Sequence, residues 1–168
     1  HFLFNTINTI YGFALKQSPR TPDIILKLSN LLDYILYQVD KPMVPLSEEV
    51  MHIREYIELE QIRFRDTLKV SFQASEIDDR IQVAPLLLIP LVENAFKHGS
   101  IIDGYLSIEI NTKVSGDQFE FSIVNSAKTS EANNGNGIGL SNISKRLDLH
   151  YTDNYILEQE RINNSFKV

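Results

Sequence analysis

The sequence predicts an α+β protein in which a helical hairpin precedes an α/β sandwich, that is, a mixed sheet with helices on one face. Apolar residues recur at helical spacing up to residue 40, and alternating segments typical of strands follow from residue 68. The 168 residues are 43% hydrophobic and 23% charged, which is ordinary for a globular protein with a substantial core. We therefore expect a hairpin over 1–40, a linker over 41–47 and a second domain over 48–168. The alternative that the C-terminus of this domain is truncated stays open.

Two helices are predicted in the hairpin. The first runs from about Phe2 to Lys16, and the second starts at Thr21 as N-cap, with Pro22 and Asp23 in its first turn. The second helix carries a wide apolar stripe of Ile24, Ile25, Leu28, Leu31, Leu32, Ile35, Leu36 and Val39. Two helices cannot bury such stripes alone. We expect a second copy to complete a four-helix bundle, and packing on the neighbouring domain is the alternative.

Helices and strands alternate in the second domain. A third helix is predicted with Ser47 as its N-cap and Glu48 and Glu49 in its first turn. Pro85 is predicted to start a fourth helix, and Pro90 to kink or restart it. The predicted strands cover 68–72, 106–110 and 119–123, a helix runs from 139 to 149, and a last hairpin joins 155–159 to 165–168.

Composition excludes several classes of function. The net charge of -6 argues against non-specific nucleic-acid binding, and the absence of cysteine excludes disulfides and thiolate metal sites. The longest apolar run, 84–92, has nine residues with two prolines and is too short to span a bilayer. The chain opens on His1 without Met, so we expect a fragment whose sensor or membrane segment lies upstream.

Polar side chains with ligand chemistry lie in the predicted fourth helix. Glu93 and Lys97 are four residues apart, as are Asn94 and His98, so they form two neighbouring rows on the helix. Asn94 offers a neutral oxygen to Mg²⁺, Glu93 can accept a proton, and the two cationic side chains can donate to phosphate. A solvated face with an ordinary Glu–Lys pair is the alternative. The other face is expected to be buried: Leu91, Val92, Ala95 and Phe96.

Glycines alternate before the helix predicted from residue 139, at Gly135, Gly137 and Gly139, and Leu140 follows them. Glycine allows close backbone approach, and amides at a helix start favour an anion, so this run is a candidate phosphate-binding turn. A plain turn is the alternative, because the run has neither the spacing nor the Gly-Lys-Ser/Thr of a P-loop. The polar stretch 128–136 is predicted to form a short lid.

Three motifs in order along the chain resemble one family. The run Glu93-Asn94-x-x-Lys97-His98-Gly99 resembles the N box of the ATPases shared by histidine kinases, gyrase, mismatch-repair proteins and heat-shock chaperones. The run Gly135-x-Gly137-x-Gly139-Leu140 resembles their second glycine box. The opening His1-Phe2-Leu3-Phe4-Asn5 resembles the phosphoacceptor helix of the LytS-type sensor histidine kinases, and 139–147 also fits them. The resemblance covers essentially the whole chain.

The resemblance implies that His1 is phosphorylated from ATP. Asn5, one helical turn on, is expected to hydrogen-bond the His1 ring and select its tautomer. Glu93 is expected to orient or deprotonate His1, or to serve only in positioning Mg²⁺. Asn94 is the implied Mg²⁺ ligand. The implied contacts with the bound nucleotide are Asn94, Lys97, His98, Asn125, Gly135, Gly137, Gly139 and Leu140.

Asn125 stands where many members of the wider superfamily carry an aspartate that reads the adenine amino group. In their D-x-G-x-G motif a glycine follows at the position of Ala127 here. The Asn125 carbonyl can still accept from an adenine N–H, though without charge. The alternative is that Asn125 only closes a strand end.

For the whole chain, the resemblance implies the cytoplasmic kinase core of a bacterial inner-membrane sensor in a two-component system. Its implied partners are an aspartate of a response regulator and a second copy bound through the hairpin. It would meet the membrane only through an upstream segment. Two other classes stay open: a nucleotide-binding dimerisation or scaffold module without kinase activity, and an ATP-hydrolysing machine. The short lid and the preceding hairpin argue against the machine.

Overall fold

A computed structural model of the chain describes residues 2–37, 41–74, 77, 80–116, 118–128, 138–152 and 154–168. Its helices are α1 (Phe2–Leu15), α2 (Thr21–Tyr37), α3 (Leu46–Phe64), α4 (Ile89–His98) and α5 (Ile138–Tyr151). Its strands are β1 (Val44–Pro45), β2 (Leu68–Ala74), β3 (Gln82–Val83), β4 (Leu106–Ser115), β5 (Gln118–Ser126), β6 (Glu160–Ile162) and β7 (Ser165–Lys167). The predicted α+β class, a helical hairpin followed by a mixed sheet, is confirmed.

Five strands form the main sheet in the order β2-β4-β5-β7-β6. The β2–β4 pair is parallel and the others are antiparallel, with Leu68 opposite Leu106 and Ile110 opposite Ile123. Along β4, buried and exposed residues alternate, as expected for a sheet with one covered face. Helix α4 packs on β4 and β5, and α3 packs on β2. The covered face of the sheet is the face that packs against the helices, so α4 lies directly on the sheet.

The hairpin packs against the rest of the same chain on one side. Ile24, Leu28, Leu31 and Tyr34 of α2 are buried, and α2 contacts α3. Other apolar residues of the hairpin stay exposed in this single chain: Leu3, Phe4, Ile7, Tyr11, Leu15, Ile25, Leu26, Leu36 and Tyr37. The predicted alternative, packing on the neighbouring domain, therefore accounts for one side of α2 only.

Two predicted helix caps are wrong. The Thr21 hydroxyl has no hydrogen-bond partner among the described residues, because the carbonyl of Arg20 receives the first helical bond, from Ile24 N–H at 3.1 Å. Helix α3 begins at Leu46, so Ser47 lies inside it. Its start is set by a distant contact, since Leu46 N–H donates to Ile81 O at 2.8 Å. Tertiary pairing thus overrides the local capping preference at the start of α3, whereas α2 begins one residue earlier than predicted.

Three further boundaries differ from the predicted ones. The predicted linker contains β1, which pairs with β3. Helix α4 begins at Ile89 rather than Pro85, and Pro90 lies in its first turn, where a missing N–H costs nothing. The last hairpin uses Glu160–Ile162 rather than 155–159, because register with β7 selects those residues. In the described part of the chain, no helix is long and apolar enough to cross a membrane.

Candidate functional site

Helix α4 presents the predicted ligand side chains outward. Its apolar residues are buried as predicted: Leu91, Val92, Ala95 and Phe96. Glu93, Lys97 and His98 are exposed, and Asn94 is half-buried. The helix therefore holds all four polar groups on a fixed support and leaves them open to a ligand.

The end of α4 lies against Asn125. Gly99 N–H donates to Ala95 O at 2.9 Å and closes the helix. An added Cβ on Gly99 would lie 2.6 Å from that oxygen, in collision with Leu106 Cδ1 and 3.5 Å from Asn125 Nδ2. With φ of -65° at Gly99, space rather than backbone conformation requires glycine here. The close approach brings the N-box helix beside the residue predicted to read adenine.

Asn125 is buried on the helix-covered side of β5, with a relative exposure of 4%. It is the residue before the last in β5, pairs with Ile108 and Phe166, and donates from Nδ2 to Ser126 O at 3.1 Å. The next residue, Ser126, joins β5 to the segment after α4. Ser100 N–H donates to Ser126 O at 2.7 Å, and Ser126 Oγ donates to Ser100 O at 2.7 Å. Asn125 therefore sits in a well-fixed position.

Helix α5 forms the other side of the candidate site, since it packs against α4. Gly139 lies in its first turn, and Leu140 is half-buried. Arg146 Nη1 donates to Pro85 O, and Ala84 N–H donates to the Tyr151 hydroxyl at 2.8 Å. These bonds tie α5 to the segment that leads into α4. The structure thus brings together α4 and Asn125, and it packs α5 against α4.

The remaining predicted site residues are only partly described by the structure. His1, Gly135 and Gly137 fall outside the described residues, as does the predicted lid except for Lys128. Asn5 lies on α1, half-buried, and its carbonyl accepts from Thr9 Oγ1 at 2.9 Å. The roles of these residues stay predictions.

Two buried acids were missed by the sequence analysis. Glu49 is fully buried and accepts from Leu86 N–H at 2.7 Å, from Leu88 N–H at 2.9 Å and from the Tyr34 hydroxyl. Burial raises the pKa of Glu49 and also that of Tyr34. The available signal was its position beside Val50 on the apolar face of α3. Glu49 therefore fixes the turn that enters α4.

The second buried acid is Glu60, which is 1% exposed. The Tyr56 hydroxyl donates to Glu60 Oε1 at 3.3 Å, and Arg63 Nη2 lies 2.6 Å from Oε2. Burial raises the pKa of Glu60 to about 7, with Arg63 opposing the rise and the charge of Glu93 adding to it. Tyr56, Glu60 and Arg63 therefore form a polar row along α3.

His52 of α3 is also buried. Its ring stacks on Tyr34 with centroids 4.0 Å apart, and Nδ1 lies 2.9 Å from Glu55 Oε2. The stack joins α2 to α3, so His52 belongs to the packing of the hairpin.

The residues present fit magnesium bound mainly through a nucleotide. Among the described residues, no group of three or more His, Cys, Asp or Glu side chains could hold a metal ion. Mg²⁺ commonly takes one or two protein oxygens and completes its shell with phosphate and water. The half-buried Asn94 amide is such a neutral oxygen donor.

Gly99→Ala is expected to lower the free energy of unfolding by about 1–3 kcal/mol, because the new methyl group collides with backbone and with Leu106. Urea denaturation measures the loss. Gly12→Ala is the matched control: nothing lies within 4 Å of its added Cβ in α1, so stability should rise by about 0.5–1 kcal/mol. Equal changes in both variants would contradict the close approach of α4 to β4.

The sequence is similar to those of known sensor proteins and histidine kinases. A family model described as histidine kinase matches residues 1–68. Sensor protein LytS of Oceanobacillus iheyensis is 32% identical over 88% of this chain and 28% of its own length. Sensor histidine kinase BtsS of Escherichia coli strain K12 is 28% identical over 92% of this chain and 28% of its length. The chain thus spans less than a third of these relatives.

Solved structures share the fold at lower identity. The catalytic domain of histidine kinase ThkA aligns with a TM-score of 0.54 and 19% identity, over 74% of this chain and 90% of that one. Histidine kinase AdeS of Acinetobacter baumannii aligns with a TM-score of 0.56 and 11% identity, over 94% of this chain and 80% of that one. The helices and mixed sheet described above therefore share the fold of these two structures.

Proposed function

The chain belongs to the histidine kinase family, and from that premise we propose that it is the kinase core of a two-component sensor. In this proposal it binds ATP with Mg²⁺, phosphorylates His1 and passes the phosphoryl group to an aspartate of a response regulator. A chain with this role lies on the cytoplasmic side of a bacterial inner membrane.

One observation carries the proposal. Helix α4 holds Glu93, Asn94, Lys97 and His98 outward on a buried support, beside Asn125 and against α5. Cationic donors and helix-start amides suit a phosphate tail, and a buried amide suits a base edge. An ordinary Glu–Lys pair on a solvated helix face would not account for the presence of all these groups at one place.

The residues have separate roles in ATP binding. Lys97 and His98 would donate to phosphate oxygens, and Asn125 would accept from the adenine amino group. The Asn94 oxygen would hold Mg²⁺, which supplies neutralisation of phosphate charge when bound. Amides at the start of α5, around Gly139, would complete the phosphate contacts.

Phosphoryl transfer would proceed by attack of a His1 ring nitrogen on the γ-phosphorus. A nitrogen–phosphorus bond forms, the bond from phosphorus to the bridging oxygen breaks, and ADP leaves with that electron pair. The ring proton passes to Glu93 or to water. Such transfer depends mainly on positioning and charge, which a rigid α4 provides.

Dimerisation through the hairpin is part of the proposal. Phe4, Ile7, Tyr11 and Leu15 repeat along α1 at helical spacing and are at least half exposed in the single chain. A second copy would bury this row in a helix bundle. Sedimentation of the chain as a dimer supports this part, and a monomer at all concentrations contradicts it.

Incubation with γ-labelled ATP and Mg²⁺ tests the function. The expected product is labelled protein that loses its label in acid and keeps it in alkali. ATP binding by calorimetry without any label would support the scaffold module instead. Rapid release of phosphate without labelled protein would support an ATP-hydrolysing machine.

Asn94→Ala is expected to weaken ATP binding about tenfold in the presence of Mg²⁺, equivalent to about 1.4 kcal/mol. Calorimetry with and without chelator measures this, and the chelated samples should bind alike. Asn8→Ala, at an exposed position of α1, is the control and should leave both affinities unchanged. An unchanged affinity for Asn94→Ala in Mg²⁺ removes Asn94 from the metal role.

A further inference from the structure

The start of α1 lies against α3 of the same chain. The Phe2 ring stacks on the Tyr56 ring, with centroids 4.5 Å apart and planes 27° apart. Tyr56 is buried, and so is Thr6, one turn further along α1. Because Phe2 directly follows His1 in the sequence, this stack fixes the backbone next to the proposed phosphoacceptor.

The same tyrosine also contacts the N-box helix. Its ring meets Phe96 edge-on, with centroids 5.6 Å apart and planes 63° apart. Phe96 lies one turn after Glu93 on α4. Burial raises the pKa of Tyr56, and the charges of Glu60 and Glu93 add to the rise. One ring therefore lies between the start of α1 and the helix that carries the proposed nucleotide ligands.

A polar row on α3 holds Tyr56 in place. Tyr56, Glu60 and Arg63 follow one another at helical spacing on α3, joined by the hydroxyl–carboxylate bond and the ion pair described above. The Arg63 guanidinium lies 4.3 Å over the Phe64 ring, which in turn packs near Phe96. The Glu60 carboxylate is buried and the Arg63 side chain is 26% exposed, so the ion pair keeps that carboxylate, and with it the Tyr56 hydroxyl, in one position.

We propose that Tyr56, anchored by Glu60 and Arg63, is a positioning residue that holds the His1 end of α1 against the N box of the same chain. This inference rests on the proposed kinase function and adds that phosphorylation runs within one chain. Tyr56 itself touches neither of the reacting atoms in this proposal; it acts through Phe2 and Phe96.

Two substitutions on α1 provide the test. Phe2→Leu removes the stacked ring, whereas Asn8→Ala changes an exposed side chain outside the row proposed for the dimer. We expect Phe2→Leu to lower the rate of labelling at saturating ATP about tenfold or more, since small misplacements are costly in transfer reactions. Its ATP affinity should stay unchanged, and Asn8→Ala should label at the original rate.

A double-mutant cycle separates positioning from general damage. Tyr56→Leu should slow labelling as Phe2→Leu does, and the double variant should be no slower than either single one. Tyr56→Phe keeps the ring and loses only the hydroxyl, so its effect should be smaller. Additive losses, or a fall in ATP affinity equal to the fall in rate, would overturn the positioning role.

Mixed chains test whether transfer stays within one chain. His1→Gln and Asn94→Ala chains, co-expressed with different tags, should give no label beyond that of each alone. Label on the Asn94→Ala chain above the amount that it takes when expressed alone would overturn transfer within one chain. If the unaltered chain binds ATP and takes no label, the proposed function itself fails. Equal rates for Phe2→Leu and Asn8→Ala, with labelling intact, overturn only the role of Tyr56.

Discussion

Replacing His1 by glutamine is expected to abolish acid-labile, alkali-stable labelling from γ-labelled ATP while ATP affinity stays unchanged. The physical reason is that different parts of the chain bind the nucleotide and accept the phosphoryl group. The proposed nucleotide contacts come from α4, Asn125 and α5, whereas His1 precedes α1 and supplies only the accepting nitrogen. Radiolabelling and calorimetry on the same preparation measure both quantities.

His150→Gln is the matched control, because His150 is exposed in the last turn of α5 and has no proposed role. It should label normally. Label that persists in His1→Gln would identify a different acceptor. Loss of ATP binding in His1→Gln would contradict the separation of acceptor and nucleotide site.

Replacing Glu49 by alanine is expected to lower the free energy of unfolding by about 2–5 kcal/mol, since buried donors lose their acceptor. The orphaned donors are the Leu86 and Leu88 amides and the Tyr34 hydroxyl. Leu86 also has a φ of 54°, a left-handed conformation that is unfavourable for leucine. The hydrogen bond from Leu86 N–H to Glu49 Oε1 holds Leu86 in this conformation, and Glu49→Ala removes that bond.

Urea denaturation compares Glu49→Ala with Glu48→Ala. Glu48 is the neighbouring acid in the first turn of α3 but is half-buried, so its loss should cost at most about 1 kcal/mol. Near-equal stabilities of the two variants would show that the Glu49 bonds contribute little. Circular dichroism of both folded variants checks that helix content is retained.

The elements with strong periodicity were predictable from the sequence. The buried face of α4 was predicted residue by residue, because 3.6-residue spacing alone determines which side chains share a face. Boundaries were less predictable. Helix α3 begins at Leu46 because of a bond to Ile81, and β6 is selected by its pairing with β7. Partners far away in sequence decide such positions.

The residues of the candidate site were also predictable only in part. Residue type and spacing singled out the outward residues of α4, and the resemblance to the ATPase superfamily singled out Asn125; the ligand roles of these residues stay predictions. Glu49, His52 and Glu60 were missed, because charged residues are usually exposed and become buried only when partners are supplied. For Glu49 those partners lie 15, 37 and 39 residues away.

The bonds of Glu49 also bear on how the molecule can be divided. The Glu49 carboxylate on α3 holds both α2 and the turn before α4. We therefore expect the hairpin to unfold together with the rest of the chain, although the proposed nucleotide contacts lie outside the hairpin. Cutting the chain at the predicted linker would leave Glu49 without Tyr34 and uncover the apolar side of α3. We therefore expect one melting transition for the intact chain. A nucleotide-binding piece made without the hairpin should be unstable.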